Sequence, residues 1–463
     1  MSAPDSFARP DRPTVVVIGG GLSGIAAALH CARSGASVRL IESKGRLGGA
    51  AYSFDRHGIY ADNGQHVFLR CCTAYRQLLA DLDAETMVAL QPRLDIPVLA
   101  PGGRRARLRR NGLPAPLHLA GTLARYSLLS PLERLSLVRA MRALQRIDPD
   151  DPETDARSFG DWLAEHGQSQ RAVEAIWELI CRPTVNLSVQ DASLAQAAQV
   201  FQVGLLEDPA AGDVGHAIVP LSDIHDVAAR RALGAAGVEV MLRTGAARVT
   251  TGSDGFRVER SSGSALSAAA VIVATQPQRT ARLLPAEAGI SPASLESLGS
   301  SPIVNLHVLF ERSVLDVPFA AGAHTPVQWI FDRTHSAGVP EGQYLAVTLS
   351  AADAELGTAA EDLRARYLPA LSQLLPAAHT ARVRQFFVTR EHAATFRAAP
   401  GARAHRPGPS TRLPGLVLAG AWTDTGWPAT MESAVRSGRA ASAQALAWLG
   451  QRALRAERLK EAV

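Results

Sequence analysis

Gly19, Gly21 and Gly24 stand at the spacing GxGxxG, directly after the apolar run Thr14–Ile18. Glycine at the first position permits a tight turn, at the second lets backbone approach a pyrophosphate, and at the third lets a helix pack closely on a strand. The chemistry on offer is anion binding, because N–H groups around Ser23 at a helix start would point at the phosphates. About twenty residues on, Glu42, with Ser43 beside it, is an acid that can accept the hydroxyls of an adenosine ribose. An acid there suits a free 2′-hydroxyl and argues against a 2′-phosphate. In Gly45-Arg46-Leu47-Gly48-Gly49, an arginine among glycines can lie along the phosphates as a counter-charge. Asp62-Asn63-Gly64-Gln65-His66 offers a different chemistry, a carboxylate and an imidazole near enough in sequence for proton transfer. The same two residues equally suit a turn-capping acid and a satisfied buried histidine.

Other chemistries find no support. The sequence holds no HExxH, Gly-x-Ser-x-Gly or GxxxxGK[ST] motif, and its 13 histidines form no recognisable cluster, so no metal is expected. Cys31, Cys71, Cys72 and Cys181 show neither a CxxC pair nor metal spacing, which fits a reduced, cytoplasmic setting. Met1–Pro13 lacks an apolar stretch, so no secretory signal is expected there. No run reaches the roughly 18 apolar residues of a membrane span. The net charge is +5, from 48 basic and 43 acidic residues. Its arginines are scattered among acids rather than gathered into aromatic-interleaved stripes, so nucleic acid is not an expected partner. A basic surface lying on the anionic inner face of the cytoplasmic membrane stays open.

These residues need elements to hold them. Thr14–Ile18, a helix over Ile25–Arg33 and Ser37–Ile41 read as a βαβ unit. Ala270–Ala274 and Leu416–Ala419 are later apolar strands of the same buried kind. Val238–Leu242, Ala246–Thr250 and Phe256–Glu259 read as a small antiparallel meander. A nucleotide-binding domain therefore assembles from 14–99, 216–300 and 400–450. A substrate domain, formed by 100–215 and 301–399, is interleaved with it, and 1–13 and 451–463 are expected to be flexible termini. The first insert is expected to be helical. Ser130-Pro131-Leu132-Glu133 supplies a capping box, Ser158 starts a helix that Gly167 ends, and a third runs from Ser169 to Arg182, where Pro183 stops it. The second insert is expected to be sheet, with Val304, Leu306, Val308 and Phe310 forming one apolar face. Basic Arg104–Arg110 and the leucine-rich stretch 117–147 suit either docking on a bilayer or ordinary helices packed on a core.

The glycine turn, the acid and Arg46-x-Gly48-Gly49 together resemble the FAD-dependent amine oxidases and phytoene-type desaturases. A late segment, Gly415 to Trp422 and on through Gly426 to Gly438, resembles the same group, and the likeness runs from Val15 to about Leu446. Asp62–His66, Arg182–Asn186, Val219–Ser222, Gln328–Arg333 and Gly426–Glu432 are similar to one branch of it, the squalene-associated hydroxysqualene dehydroxylases. The resemblance implies an α/β fold: a Rossmann-like, glutathione-reductase-like FAD-binding domain, with parallel sheet plus β-meander, and an interleaved α+β substrate domain. It implies FAD, held by the glycine turns, Ser23, Glu42, Ser43, Arg46, Gly64, Gln65 and Val249, and at the far end by Gly420, Thr430 and Met431. The family's acid after Ala-Gly is replaced by Ala421, with Asp424 as its expected stand-in. The implied reaction is reductive dehydroxylation of hydroxysqualene, with an unidentified electron donor reloading the flavin. His66, oriented by Asp62, is the expected proton donor. Val304, Leu306, Val308, Trp329 and Trp427 are the expected walls for the apolar isoprenoid chain. Carotenoid or dehydrosqualene desaturation, amine oxidation, and a non-catalytic flavin- or lipid-binding role are the alternatives.

Overall fold

The computed structural model describes residues 14–461. Thr14–Ile18, a β-branched run, is the central strand of a five-stranded parallel sheet. Its order is Glu239–Met241, Ser37–Ile41, Thr14–Ile18, Ala270–Val273, Leu416–Leu418. Successive strands leave the first one on opposite sides, which opens a crevice at its C-terminal end, where Gly19 begins the turn. The helix Leu22–Arg33 follows and packs against the long last helix, Met431–Glu461. Gly438 makes that crossing tight, since a Cβ there would sit 2.1 Å from the Ser23 carbonyl oxygen.

Two expectations about this domain change. Glu239–Met241 does not open the meander but pairs in parallel with Ser37–Ile41, Val240 opposite Leu40. A short apolar run reads alike at a parallel edge and in a hairpin. The meander is Ala246–Gly252, Gly255–Arg260 and Ala265–Ala268, all antiparallel. At the C-terminus, residues 451–461 are not a loose tail but the end of the last helix. The expectation for 1–13 lies outside the described residues.

The second layer is a seven-stranded sheet in the order Val383–Thr395, Ser301–Phe310, Gln343–Ser350, Trp329–Asp332, Phe319–Gly322, Asp95–Ala100, Arg104–Arg109. Its last two strands form a hairpin, so the helical insert expected from residue 100 begins only after it. The basic stretch 104–110 is thus mostly edge strand, where exposed arginines discourage pairing with another chain. The helices follow. Ser130 accepts from Glu133 N while Glu133 accepts from Ser130 N, the reciprocal pair that starts Pro131–Leu144. Pro183 lies inside the helix Glu178–Val185 rather than ending it. The carbonyl four residues back, on Leu179, accepts from the Trp329 indole N–H at 3.3 Å, which supplies the donor that proline lacks. The helix ends three residues later, at Asn186 in the left-handed conformation.

A candidate cofactor and active site

The two glycine turns meet. Gly48 N donates to the Gly20 carbonyl at 2.9 Å, and a Cβ on Gly49 would lie 2.8 Å from Gly21 Cα. Gly24 is equally constrained, since its Cβ would sit 1.9 Å from the Gly19 oxygen. Glu42 is buried at the next strand end, accepting from Gly20 N and Lys44 N at 2.7 Å each and from Ser43 Oγ at 3.0 Å. The helix after the turn has no side-chain cap and no acid in its first turn. Its leading N–H groups are therefore free to receive an anion, and a bare backbone cradle faces them, so these residues fit a dinucleotide pyrophosphate. Arg46 leans over the Tyr52 ring at 3.4 Å and donates to the Leu47 and Gly49 carbonyls at 3.1 Å. The strand bearing Val249 starts beside Glu42, whose carbonyl accepts from Thr244 N at 2.8 Å; Val249 itself is wholly buried opposite Val258.

The late segment closes on the same crevice. Gly420 N donates to Ser437 Oγ at 2.9 Å, and Thr430 Oγ1 accepts from Ser433 N at 3.2 Å, capping the last helix as Met431 opens it. Asp424, the expected stand-in for the acid absent at Ala421, lies in the loop between Gly420 and the last helix. Its carboxylate accepts from Gly426 N at 3.2 Å and pairs with Arg403 at 3.5 Å. The residue that organises this loop is Arg406, buried and donating to the carbonyls of Thr423 at 2.6 Å and Trp427 at 2.8 Å. Burial lowers its pKa to about 10, so it stays cationic at neutral pH. Nothing in the proline- and arginine-rich connector distinguishes this arginine from its neighbours.

Asp62 is held by three donors, Ser53 Oγ at 2.7 Å, Leu221 N at 3.0 Å and Arg333 Nη2 at 2.8 Å, with both members of the ion pair buried. No direct hydrogen bond joins it to His66 among the described residues, and its influence on the imidazole is through its charge. Asn63 donates to the Ala50 carbonyl at 2.8 Å and to Glu391 at 2.9 Å, and its own carbonyl accepts from Asn305 at 2.9 Å. The segment carrying Gly64, Gln65 and His66 is thereby fixed to the second glycine turn and to the seven-stranded sheet. Burial holds the His66 imidazole below its ordinary pKa, with the Asp62 charge pulling the other way. Glu391 and Asn305 had no signal in the sequence, because their partners lie hundreds of positions away.

An apolar cavity of about 230 Å³ lies between the helices and the seven-stranded sheet. At the crevice it is walled by Gln65, Trp427, Thr430 and Met431, and it reaches Leu119, Leu123 and Met141 in the helical insert. Trp329 also lines it. Val304, Leu306 and Val308 do not. They face the opposite way and pack under Leu363, Tyr367 and Leu371 of the helix Ala360–Leu374. Ile303, on the other pleat of the same strand, lines the cavity. Alternation identified two faces but not which one met the cavity.

A family model described as flavin containing amine oxidoreductase matches residues 22–446. The hydroxysqualene dehydroxylase of Rhodopseudomonas palustris is 30% identical over 457 residues, covering 94% of this chain and 98% of that protein. The 15-cis-phytoene desaturase of Synechococcus elongatus is 22% identical over 460 residues, covering 92% and 94%. A solved structure of putrescine oxidase bound to putrescine superposes with a TM-score of 0.72 at 19% identity, covering 94% of this chain and 99% of that one. With a crevice that fits a dinucleotide and a model match across most of its length, this chain belongs to the flavin containing amine oxidoreductase family, an FAD-dependent group of oxidoreductases.

Proposed function

We propose that this chain removes the hydroxyl of hydroxysqualene by reduction, giving squalene and water. The observation that carries the reading is the apolar cavity, lined mostly by aliphatic and aromatic side chains with Gln65, Thr184, Gln199, Thr348, Ser350, Thr430 and Glu432 as its polar exceptions. A long hydrocarbon offers few hydrogen bonds and must be held by apolar area, whereas a polyamine needs charged partners along its length. The dehydroxylase relative at 30% identity supports this choice over the desaturase at 22%. Desaturation of a carotenoid-like chain is the alternative that the same cavity admits.

Bound FAD in its reduced form supplies the hydride. The residues of this chain do the rest. The glycine turns and Glu42 bind the dinucleotide, and the loop ordered by Arg406 and the Thr430 cap frame the far end. Trp329, Trp427 and the leucines hold the chain and keep water from the reacting carbon. The hydroxyl is allylic, so protonating it lets the C–O bond break with water leaving and the positive charge delocalised over the neighbouring double bond. His66 is the proton source in this account. A C–H bond then forms at the same carbon, and a separate two-electron donor must restore the reduced cofactor.

Substrate access fits the surface. Leu117, Leu132 and Leu135 are exposed on the elements that carry the cavity-lining Leu119, Leu123 and Met141, and Leu113 is exposed in the loop before them. Arg105, Arg109, Arg125 and Arg139, on the same stretch of chain, are exposed as well, a composition suited to docking on an anionic bilayer from which an isoprenoid could enter. No helix among the described residues is long and apolar enough to cross a membrane. The reading is tested by adding hydroxysqualene to anaerobically reduced holoenzyme and following flavin absorbance. Prompt reoxidation by hydroxysqualene is expected, and putrescine added to the oxidised holoenzyme is expected to leave the flavin unreduced. No reoxidation by hydroxysqualene would overturn the reading.

A further inference from the structure

Beside the apolar cavity lies a much smaller one, of about 10 Å³, whose lining includes Asp62, His216 and Arg333. Gln65 lines both. Three buried polar atoms on these residues have no hydrogen-bond partner: Arg333 Nε, His216 Nδ1 and Gln65 Nε2. Arg333 is only 7% exposed, and its terminal nitrogens are spent on the Ala217 carbonyl at 2.5 Å and on Asp62 at 2.8 Å. A bare Nε–H is costly inside a protein, and so is a bare amide N–H. The space is near the minimum that one water needs, and its walls are polar. Arg333 Nε and Gln65 Nε2 can only donate. Burial and the Arg333 charge keep the His216 imidazole below its ordinary pKa, so it is neutral and can accept at Nδ1. One water that accepts the first two bonds and donates the third satisfies all three atoms.

The two ends of the Gln65 amide therefore have different surroundings. Its nitrogen is sealed off from the apolar cavity. Its oxygen has no protein partner either among the described residues, yet it is not sealed, so it is the end that a molecule in the apolar cavity can reach. Thr184, Thr348, Thr430 and Glu432 line the same cavity but spend their polar atoms on protein partners. Gln65 also stands at the crevice end, beside Trp427 and Met431. We propose that Gln65 recognises the substrate's hydroxyl. A water held between Arg333 and His216 pins the amide nitrogen, and the carbonyl oxygen accepts a hydrogen bond from an alcohol on an otherwise apolar chain. The proposal deepens the dehydroxylase reading, on which the identity of that alcohol rests. No proton passes through the amide or the water. The contact selects alcohol over hydrocarbon, because a chain without the hydroxyl leaves the oxygen unpaired. Squalene is such a chain, so the residue that holds the substrate lets the product go.

Two measurements test the proposal. The first is binding of hydroxysqualene and of squalene to the oxidised holoenzyme, followed by the change in flavin fluorescence, which needs no turnover. Wild type should bind the alcohol about tenfold more tightly than the hydrocarbon, the worth of one hydrogen bond. Gln65→Leu, close in volume but without the amide, should bind both alike, with its squalene affinity unchanged. Equal binding of the two by wild type, or a tenfold preference kept in Gln65→Leu, would overturn the proposal. Should Gln65→Leu lose its FAD, the wild-type comparison and the second measurement still decide. That measurement is a crystal structure of the FAD-loaded protein at better than about 1.2 Å, where amide hydrogens can be placed. It should show a water within hydrogen-bond reach of Arg333 Nε, His216 Nδ1 and Gln65 Nε2. An empty cavity, or an amide turned so that its oxygen faces Arg333, would overturn the proposal. Wild-type protein that prefers the alcohol yet makes no squalene would instead overturn the dehydroxylase reading and leave the alcohol site standing.

Discussion

At the level of single residues, the 62–66 segment divides into a scaffold and an acid. Asp62 is saturated by Ser53, Leu221 and Arg333, so its role is to fix the segment and set the local field, whereas His66, buried against the Ala50 backbone, carries the imidazole that this field acts on. His66→Gln should therefore bind FAD at wild-type stoichiometry and lose turnover by about 100-fold, measured as squalene formed per bound flavin. Wild-type rates in that variant would remove His66 from the mechanism. The geometry of the glycine turn was legible because its chemistry is local: Gly24 must be glycine against the Gly19 oxygen, and Glu42 sits one strand away from the turn it anchors. Arg333, Glu391 and Arg406 were not legible as functional, although Arg333 lay in a stretch singled out for its resemblance. Each acts on a partner that only the folded chain brings near, and an arginine destined for burial looks like any other in an arginine-rich sequence.

At the scale of elements, the instructive position is Pro183. Read along the chain it is a stop, because proline lacks the N–H that continues a helix. In the fold, Trp329 from the facing sheet donates to the orphaned Leu179 carbonyl while its ring lines the substrate cavity. The helix can therefore carry Pro183 and Thr184 on to the cavity wall. Trp329→Phe keeps an aromatic ring but leaves that carbonyl unpaired, and should destabilise the protein by about 1–3 kcal/mol in urea unfolding. The same change should cost less in a Pro183→Ala background, where a backbone N–H returns; equal costs in both would contradict the pairing. The strand Ser301–Phe310 teaches a complementary lesson. Its alternation was plain, yet both pleats are buried, one under the helix Ala360–Leu374 and one towards the site. Composition alone does not say which face meets the ligand when neither meets solvent.

At the scale of the whole molecule, two interleaved domains lock one cofactor segment and one cavity between them, and several histidines are buried in the process. Burial lowers the pKa of His225 and of His307 to about 3. Unfolded, each would titrate near 6.5 and bind a proton that the folded state refuses. Stability from this source is therefore complete above pH 6.5 and is lost as the pH falls from there towards 3. The melting temperature should decline steeply across that window, and His307→Gln should flatten the decline; a level profile from about pH 7 to 4 would contradict it. The broad architecture was legible from the separated strands of one parallel sheet. The hairpin Asp95–Ala100 and Arg104–Arg109 was not, since its sheet is completed by strands more than two hundred residues later. The central claim is a direction of chemistry: reduced cofactor spent on an isoprenoid alcohol. It is tested most directly by incubating anaerobically reduced holoenzyme with hydroxysqualene and quantifying the hydrocarbon product. One squalene per reduced flavin is the predicted result. No squalene, or a more unsaturated hydrocarbon formed only when the flavin starts oxidised, would contradict it.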